Sequence, residues 1–205
     1  MKKKIFSIVG LILLALSGCA SKEELFNGRN LDGWKPYLAD ASVDPSTVWS
    51  VKDGVLRCEG VPNGYLSTVR TYSNYSLHLE WRWVETPTNS GVLLHMNGPD
   101  KLWPQCIEAQ LKHQDAGDIY LIGGTDCKGI TDRQGSRLPK INPTSENTAG
   151  QWNRYDIVCR GDTIKLHVNG ILQNKATQAS VTSGKICLQS EGSPIEFRNI
   201  KLRPL

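Results

Sequence analysis

Long apolar runs are missing from this chain: the longest, residues 5–16, is too short to span a bilayer. A surplus of one charge is nearly missing too, with 24 Lys and Arg against 20 Asp and Glu. Three of the basic residues are Lys2, Lys3 and Lys4, and 21 remain without them. No run of Lys and Arg is left to follow a phosphate backbone, so nucleic acid is not an expected partner. There is no Cys-x-x-Cys pair, which speaks against a zinc ribbon or a thioredoxin-like site. A Gly-x-Ser-x-Gly elbow, a glycine-rich phosphate loop and a His-Glu-x-x-His pair are all absent. The four histidines, His78, His95, His113 and His167, have no ligand-like spacing. No cofactor is therefore predicted, and no residue is assigned to a metal; a divalent ion such as calcium, held by distant residues, stays an open alternative.

What is present suits one globular domain: 205 residues, 39% hydrophobic and 21% charged. Lys2 to Lys4, the apolar residues 5–16 and Leu16-Ser17-Gly18-Cys19 follow the order of a secretory signal, charged, apolar, then small. The ending looks like a bacterial lipobox. The expectation is a signal peptide at residues 1–18, a lipidated tether at 19–24 beginning with Cys19, and one domain at 25–205. That places the protein in the cell envelope as an outer-membrane lipoprotein, on the periplasmic or surface face, held to the membrane by its lipid. Cys58, Cys106, Cys127, Cys159 and Cys187 would then lie where disulfides persist. Five is odd, so at least one stays unpaired, and Cys106 with Cys127 is the first pairing expected.

The rest reads as strands and turns. Residues 75–84 alternate, with Tyr75, Leu77, Leu79, Trp81 and Trp83 on one face and Ser76, His78, Glu80 and Arg82 on the other. Lys52-Asp53-Gly54 and Asn169-Gly170 sit between β-formers as hairpin turns. Further strands are expected near residues 91–96, 106–112, 118–122, 155–160, 163–168, 171–174, 185–189 and 195–202. No window beyond a turn or two has helical spacing. Ten or so short antiparallel strands suggest a two-sheet β-sandwich or jelly roll.

In such a sandwich, polar parity marks the side open to ligand. With Ile107, Ala109 and Leu111 toward the core, Glu108, Gln110 and Lys112 project together. The same reasoning adds His95, Gln189, Glu80 and Arg82 if their strands are neighbours, with Tyr65, Trp103 and Tyr120 as aromatic surfaces. Sugars suit this combination, because hydroxyls need paired polar partners and their C–H faces stack on rings. The alternative is that these residues form an ordinary solvated face. No Glu-x-Asp-x-x-Glu strand, the device of sandwich-fold endoglucanases, is present.

Six segments carry a resemblance: Leu25-Phe-Asn-Gly-Arg-Asn-Leu-Asp-Gly-Trp34, Trp49-Ser-Val-Lys-Asp-Gly-Val-Leu56, Asn89-Ser-Gly91, Ile107-Glu-Ala-Gln-Leu111, Trp152-Asn153 and Phe197-Arg-Asn-Ile200. In this order they resemble the 3-keto-disaccharide hydrolase family, across nearly the whole of residues 25–202. The resemblance implies an all-β, concanavalin A-like lectin/glucanase sandwich of two antiparallel sheets. It also implies cleavage of glycosides whose sugar carries a ketone at C3. The ketone acidifies the C2 proton, so a base can remove it, the aglycone leaves from C1, and water adds to the enone. On this reading Glu108 is the base and His95, Lys112 or Arg82 holds the enolate. Gln110, Arg82, Glu80, Trp103, Tyr120 and Gln189 contact the sugar. Two departures stand out: Ser190 and Glu191 where many relatives carry Asp and His, and Leu111-Lys112 where an Asp is common. The alternative function is a lipid-anchored, non-catalytic carbohydrate-binding domain. Oligomeric state, aglycone and anomer stay open.

Overall fold

The computed structural model describes residues 21–130 and 134–205. The expected signal at residues 1–18 and the Cys19 anchor lie outside the described residues. Among those described, fifteen strands form: β1 Glu23–Glu24, β2 Trp34–Leu38, β3 Trp49–Lys52, β4 Val55–Cys58, β5 Gly64–Thr68, β6 Tyr75–Trp83, β7 Gly91–Asn97, β8 Gln105–Gln110, β9 Ile119–Ile122, β10 Arg137–Leu138, β11 Asn153–Arg160, β12 Thr163–Val168, β13 Ile171–Ala176, β14 Lys185–Ser190 and β15 Ile195–Pro204. They build two antiparallel sheets. The first runs β13-β12-β11-β6-β15-β4-β3, with β1 beside β15, and the second runs β10-β9-β8-β7-β14-β5-β2. No helix among the described residues is long and apolar enough to cross a membrane.

Alternation drives the assembly. Tyr75, Leu77, Leu79, Trp81 and Trp83 of β6 are buried and meet Leu66, Val92, Leu94, Ile107, Ala109, Ile186 and Leu188 of the second sheet in one core. Each such side chain contributes roughly 1.5–3 kcal/mol by leaving water. Two-residue turns set the hairpin registers. Asp53-Gly54 joins β3 to β4, and Asn169-Gly170 joins β12 to β13, with φ of 51° and 78° and of 51° and 84° respectively. Positive φ at both positions matches the twist of the flanking strands.

Three expectations are corrected here. Glu80 and Arg82 belong to the first sheet, so they lie on the far side of the sandwich from Glu108. There Glu80 accepts from Arg198 at 2.6 Å, Glu196 accepts from Arg82 at 2.7 Å, and both guanidiniums cover the Trp152 ring. His95 is also elsewhere. A bulge between Leu94 and Asn97 sets two residues of β7 against one of β8, and His95 takes φ of 55°. That turns its ring into the sandwich, edge-on to Tyr75 at 5.6 Å, with Nδ1 3.1 Å from the Val181 carbonyl; burial lowers its pKa. Met96 takes the outer position instead.

The third correction concerns the thiols. Cys106 lies in an apolar cluster on the outer face of the second sheet, whereas Cys127 lies in the core between the sheets. All five described cysteines are free and buried. Alkylation of unfolded, unreduced protein is therefore expected to modify Cys58, Cys106, Cys127, Cys159 and Cys187; a mass showing any intramolecular bridge contradicts this.

Candidate active site

Strand register places a set of polar side chains on the outer face of the second sheet. Gly91 opposes Gln110 on β8, and Leu93 opposes Glu108 there and Cys187 on β14. Glu108 in turn opposes Tyr120 on β9, and Tyr120 opposes Arg137 on β10. On the other flank Gln189 opposes Tyr65, which opposes Tyr37. Beyond the ends of β7 and β14, an isolated bridge pairs Asn89 with Glu191. Because side chains alternate with period two, Glu108, Gln110, Gln189, Tyr120 and Tyr65 share one face, which the Asn89–Glu191 bridge continues.

The loop at residues 98–104 covers one end of that face. Asp100 accepts from Lys35 on β2 at 2.8 Å and from the Tyr65 hydroxyl at 3.2 Å, which carries the loop back across β14 and β5. Under it lie Tyr65, Leu93, Met96, Cys106 and Cys187, with the Tyr37 ring stacked on Tyr65 at 5.0 Å. Trp103 stands exposed in the same loop. The polar groups occupy the opposite end.

Glu108 is the unusual member. It is 4% exposed, its Oε1 has no hydrogen-bond partner, and its carboxyl lies over Gly91, in the space a Cβ there would fill. Burial, and then the charge of Glu191, push its pKa up to about 8. Gln189 Oε1 and Asn89 Oδ1 are buried acceptors without donors as well. Three orphaned acceptor oxygens on adjacent strands are costly unless a ligand brings hydrogens to them. Gln110 is already engaged, its Oε1 accepting from the Leu111 and Lys112 amides at 2.8 Å each, which holds the side chain in place. Lys112 is exposed, 3.6 Å from Asp115. Arg137 is committed to Asp118, whose carboxylate accepts from its Nε at 2.7 Å. Among the described residues no group of three His, Cys, Asp or Glu side chains is arranged to hold a metal ion.

Residues 21–203 match the domain described as 3-keto-alpha-glucoside-1,2-lyase-like. The chain belongs to that family. No curated protein matches it. Among solved structures it is similar to a Parabacteroides distasonis protein assigned to the glycosyl hydrolases, at 25% identity and a TM-score of 0.68, covering 90% of this chain and all of that one. Two others share the fold. A Bacillus licheniformis beta-glucanase has a TM-score of 0.62 at 17% identity, covering 92% of this chain and 99% of its own. Carbohydrate-binding module CBM66 of Bacillus subtilis has 0.60 at 11%, covering 82% and 94%. The jelly-roll sandwich expected from the strand pattern is thus the fold of this family member.

Of the expected site residues, Glu108, Gln110, Gln189 and Tyr120 come together, while His95, Glu80 and Arg82 do not; Lys112 lies past the end of β8 against Asp115, and Trp103 stands in the loop at the other end of the face. Asn89, Gly91 and Glu191 are additions. Asn89 and Gly91 stood in the Asn89-Ser-Gly91 motif, but nothing local marked Gly91 as the seat of a carboxyl two strand positions away.

Proposed function

We propose that this protein cleaves 3-keto-glycosides by removing the C2 proton, expelling the aglycone and hydrating the enone. Family membership and fold support a carbohydrate-acting function. The observation that carries the finer reading is the buried, unpartnered Glu108 carboxyl among orphaned Gln189 and Asn89 oxygens. Sugar hydroxyls would supply the missing donors. A carboxylate with a pKa near 8 is far more basic than an ordinary Glu, which suits it to a carbon acid. A ketone at C3 is what makes C2–H acidic enough to meet such a base; without it, cleavage would need the paired-carboxylate chemistry of ordinary glycosidases. Lys112, just past the end of β8, is the cation for the enolate oxygen, and Gln110, Gln189 and Tyr120 orient the sugar. The N-terminal sequence adds a lipid anchor through Cys19, with the catalytic domain in the cell envelope.

The test is direct. Purified protein is incubated with an alkyl 3-keto-glucoside and with the unoxidised glucoside, and release of the alcohol is followed. Turnover of the keto compound alone is the expected result. Turnover of the plain glucoside, or binding of either without turnover, overturns the proposal.

A further inference from the structure

Expulsion of an alkoxide from C1 needs a proton, and the C2 proton taken by Glu108 is needed again at C2. We propose that Glu191 supplies it, as a second catalytic residue working in a pair with Glu108; the assignment rests on the 3-keto-glycoside reading above.

The geometry is specific. Asn89 bridges to Glu191, Gly91 lies two residues along the same strand, and the Glu108 carboxyl occupies the space above that glycine. Both carboxyls therefore stand on one face at the open end of the second sheet, on strands that flank β7. Glycine leaves no side chain between them. The Asn89 side chain bears on Glu191 and offsets part of the effect of burial, while the Asn89 Oδ1 beside it stays unpartnered. Glu191 is half-buried and has no ion pair among the described residues, and burial raises its pKa.

The other residues of the face are poorer donors. Gln110, Gln189 and Asn89 have no transferable proton at any working pH. Tyr120 has its pKa raised by burial, which makes it a weaker acid, and the Cys106 and Cys187 thiols are raised in the same way beneath the loop. Lys112 lies against Asp115 and Arg137 against Asp118. Two neighbouring carboxyls with no cation between them do not both ionise easily, so they share one proton and its titration belongs to the pair; the reactive form is the one with that proton on Glu191 and Glu108 ionised.

The steps balance. Glu108 carboxylate takes the C2 proton, and the C–H electron pair enters the enolate. As the enolate collapses, C1–C2 gains a double bond, the C1–O bond breaks with its electrons on oxygen, and that oxygen takes the Glu191 proton. Water then adds at C1, giving one proton back to Glu191 while Glu108 returns its own to C2. The net change is one water across the glycosidic bond, with both carboxyls restored.

Leaving-group dependence tests this. Wild type, Glu191→Gln and Glu191→Asp are compared on methyl and 4-nitrophenyl 3-keto-glucosides, since nitrophenolate leaves without help. Glu191→Gln is expected to lose about a hundred- to thousand-fold in kcat on the methyl compound and less than about fivefold on the nitrophenyl one, with Glu191→Asp between. Wild-type kcat/KM on the methyl compound should fall as pH rises above about 8, where the pair gives up its last proton. Equal losses on the two substrates, or a wild-type profile that only rises through pH 8, overturn the role of Glu191 and leave the parent reading intact. Wild type inert toward both keto compounds overturns the parent reading and the pair with it.

Discussion

Glu108→Gln is expected to lower turnover of an alkyl 3-keto-glucoside by about a hundred- to ten-thousand-fold, the usual range for loss of a general base, and at the same time to make the protein more stable above about pH 5. The two effects have one origin. Gln keeps the shape that fits over Gly91 but has no basic oxygen for the C2 proton. It also has no charge to bury. Glu in the unfolded chain titrates near 4.5, whereas folded Glu108 titrates near 8. Below pH 4.5 the carboxyl is neutral in both states and its desolvation costs little. As pH rises toward 8, folding must either take up a proton or bury an anion, and stability drains away through that window. At about 1.4 kcal/mol per pH unit, wild type gives up a few kcal/mol by pH 8 that Glu108→Gln retains. Melting curves should therefore coincide near pH 4 and separate by several degrees at pH 8, at about 2–4 °C per kcal/mol for a chain this long. Equal melting temperatures at both pH values would remove the buried, proton-holding carboxyl from the account, and unchanged turnover would remove the base.

The same contrast between local and long-range information explains what could be read from the chain beforehand. β6 declared itself because one of its faces is core and the other is wet. β5 did not, because Gly64–Thr68 is buried on both faces and so shows no alternation. β2 carries Pro36, which an edge strand tolerates and which hides it among turn signals. Glu108, Gln110 and Gln189 were legible as a polar parity set, since each follows from its own strand, whereas the chain leaves β8 before Lys112. Parity, however, says only which side of a strand a residue occupies. Which sheet that strand joins is decided by pairings far apart in sequence, and this is why Glu80 and Arg82 came out on the opposite side of the sandwich. His95 shows a subtler limit. One extra residue in β7 inverts the alternation locally, and a left-handed His in a bulge leaves no mark in composition. Asn89 and Glu191 lie just past the strand ends, where parity has no frame; only the continued ladder brings them into register.

That dependence on register makes Gly91 the most telling position in the second sheet. Gly91→Ala introduces a single methyl group. Its backbone is not in the left-handed region, so alanine meets no backbone strain, and an Ala in a strand interior is ordinarily favoured over Gly by roughly 0.5–1 kcal/mol. The methyl group, however, would overlap Glu108 Oε1 and crowd its Cδ and Cγ. The carboxyl is the movable party, being the end of a side chain, and it must leave its seat for more open space. Two results follow. Turnover is expected to drop by about a hundredfold, because displacement of a reacting group by about 1 Å costs that much, while the melting temperature stays within a few degrees of wild type. Once out of its burial, Glu108 also titrates nearer the ordinary Glu range, so the excess stability loss between pH 4.5 and 8 shrinks. The double variant Gly91→Ala, Glu108→Gln separates this cause from general damage. If the glycine acts only by seating the carboxyl, the double variant turns over no more slowly than Glu108→Gln alone. Losses that multiply would mean that Gly91 serves the substrate directly, and the seat would have to be abandoned as its role.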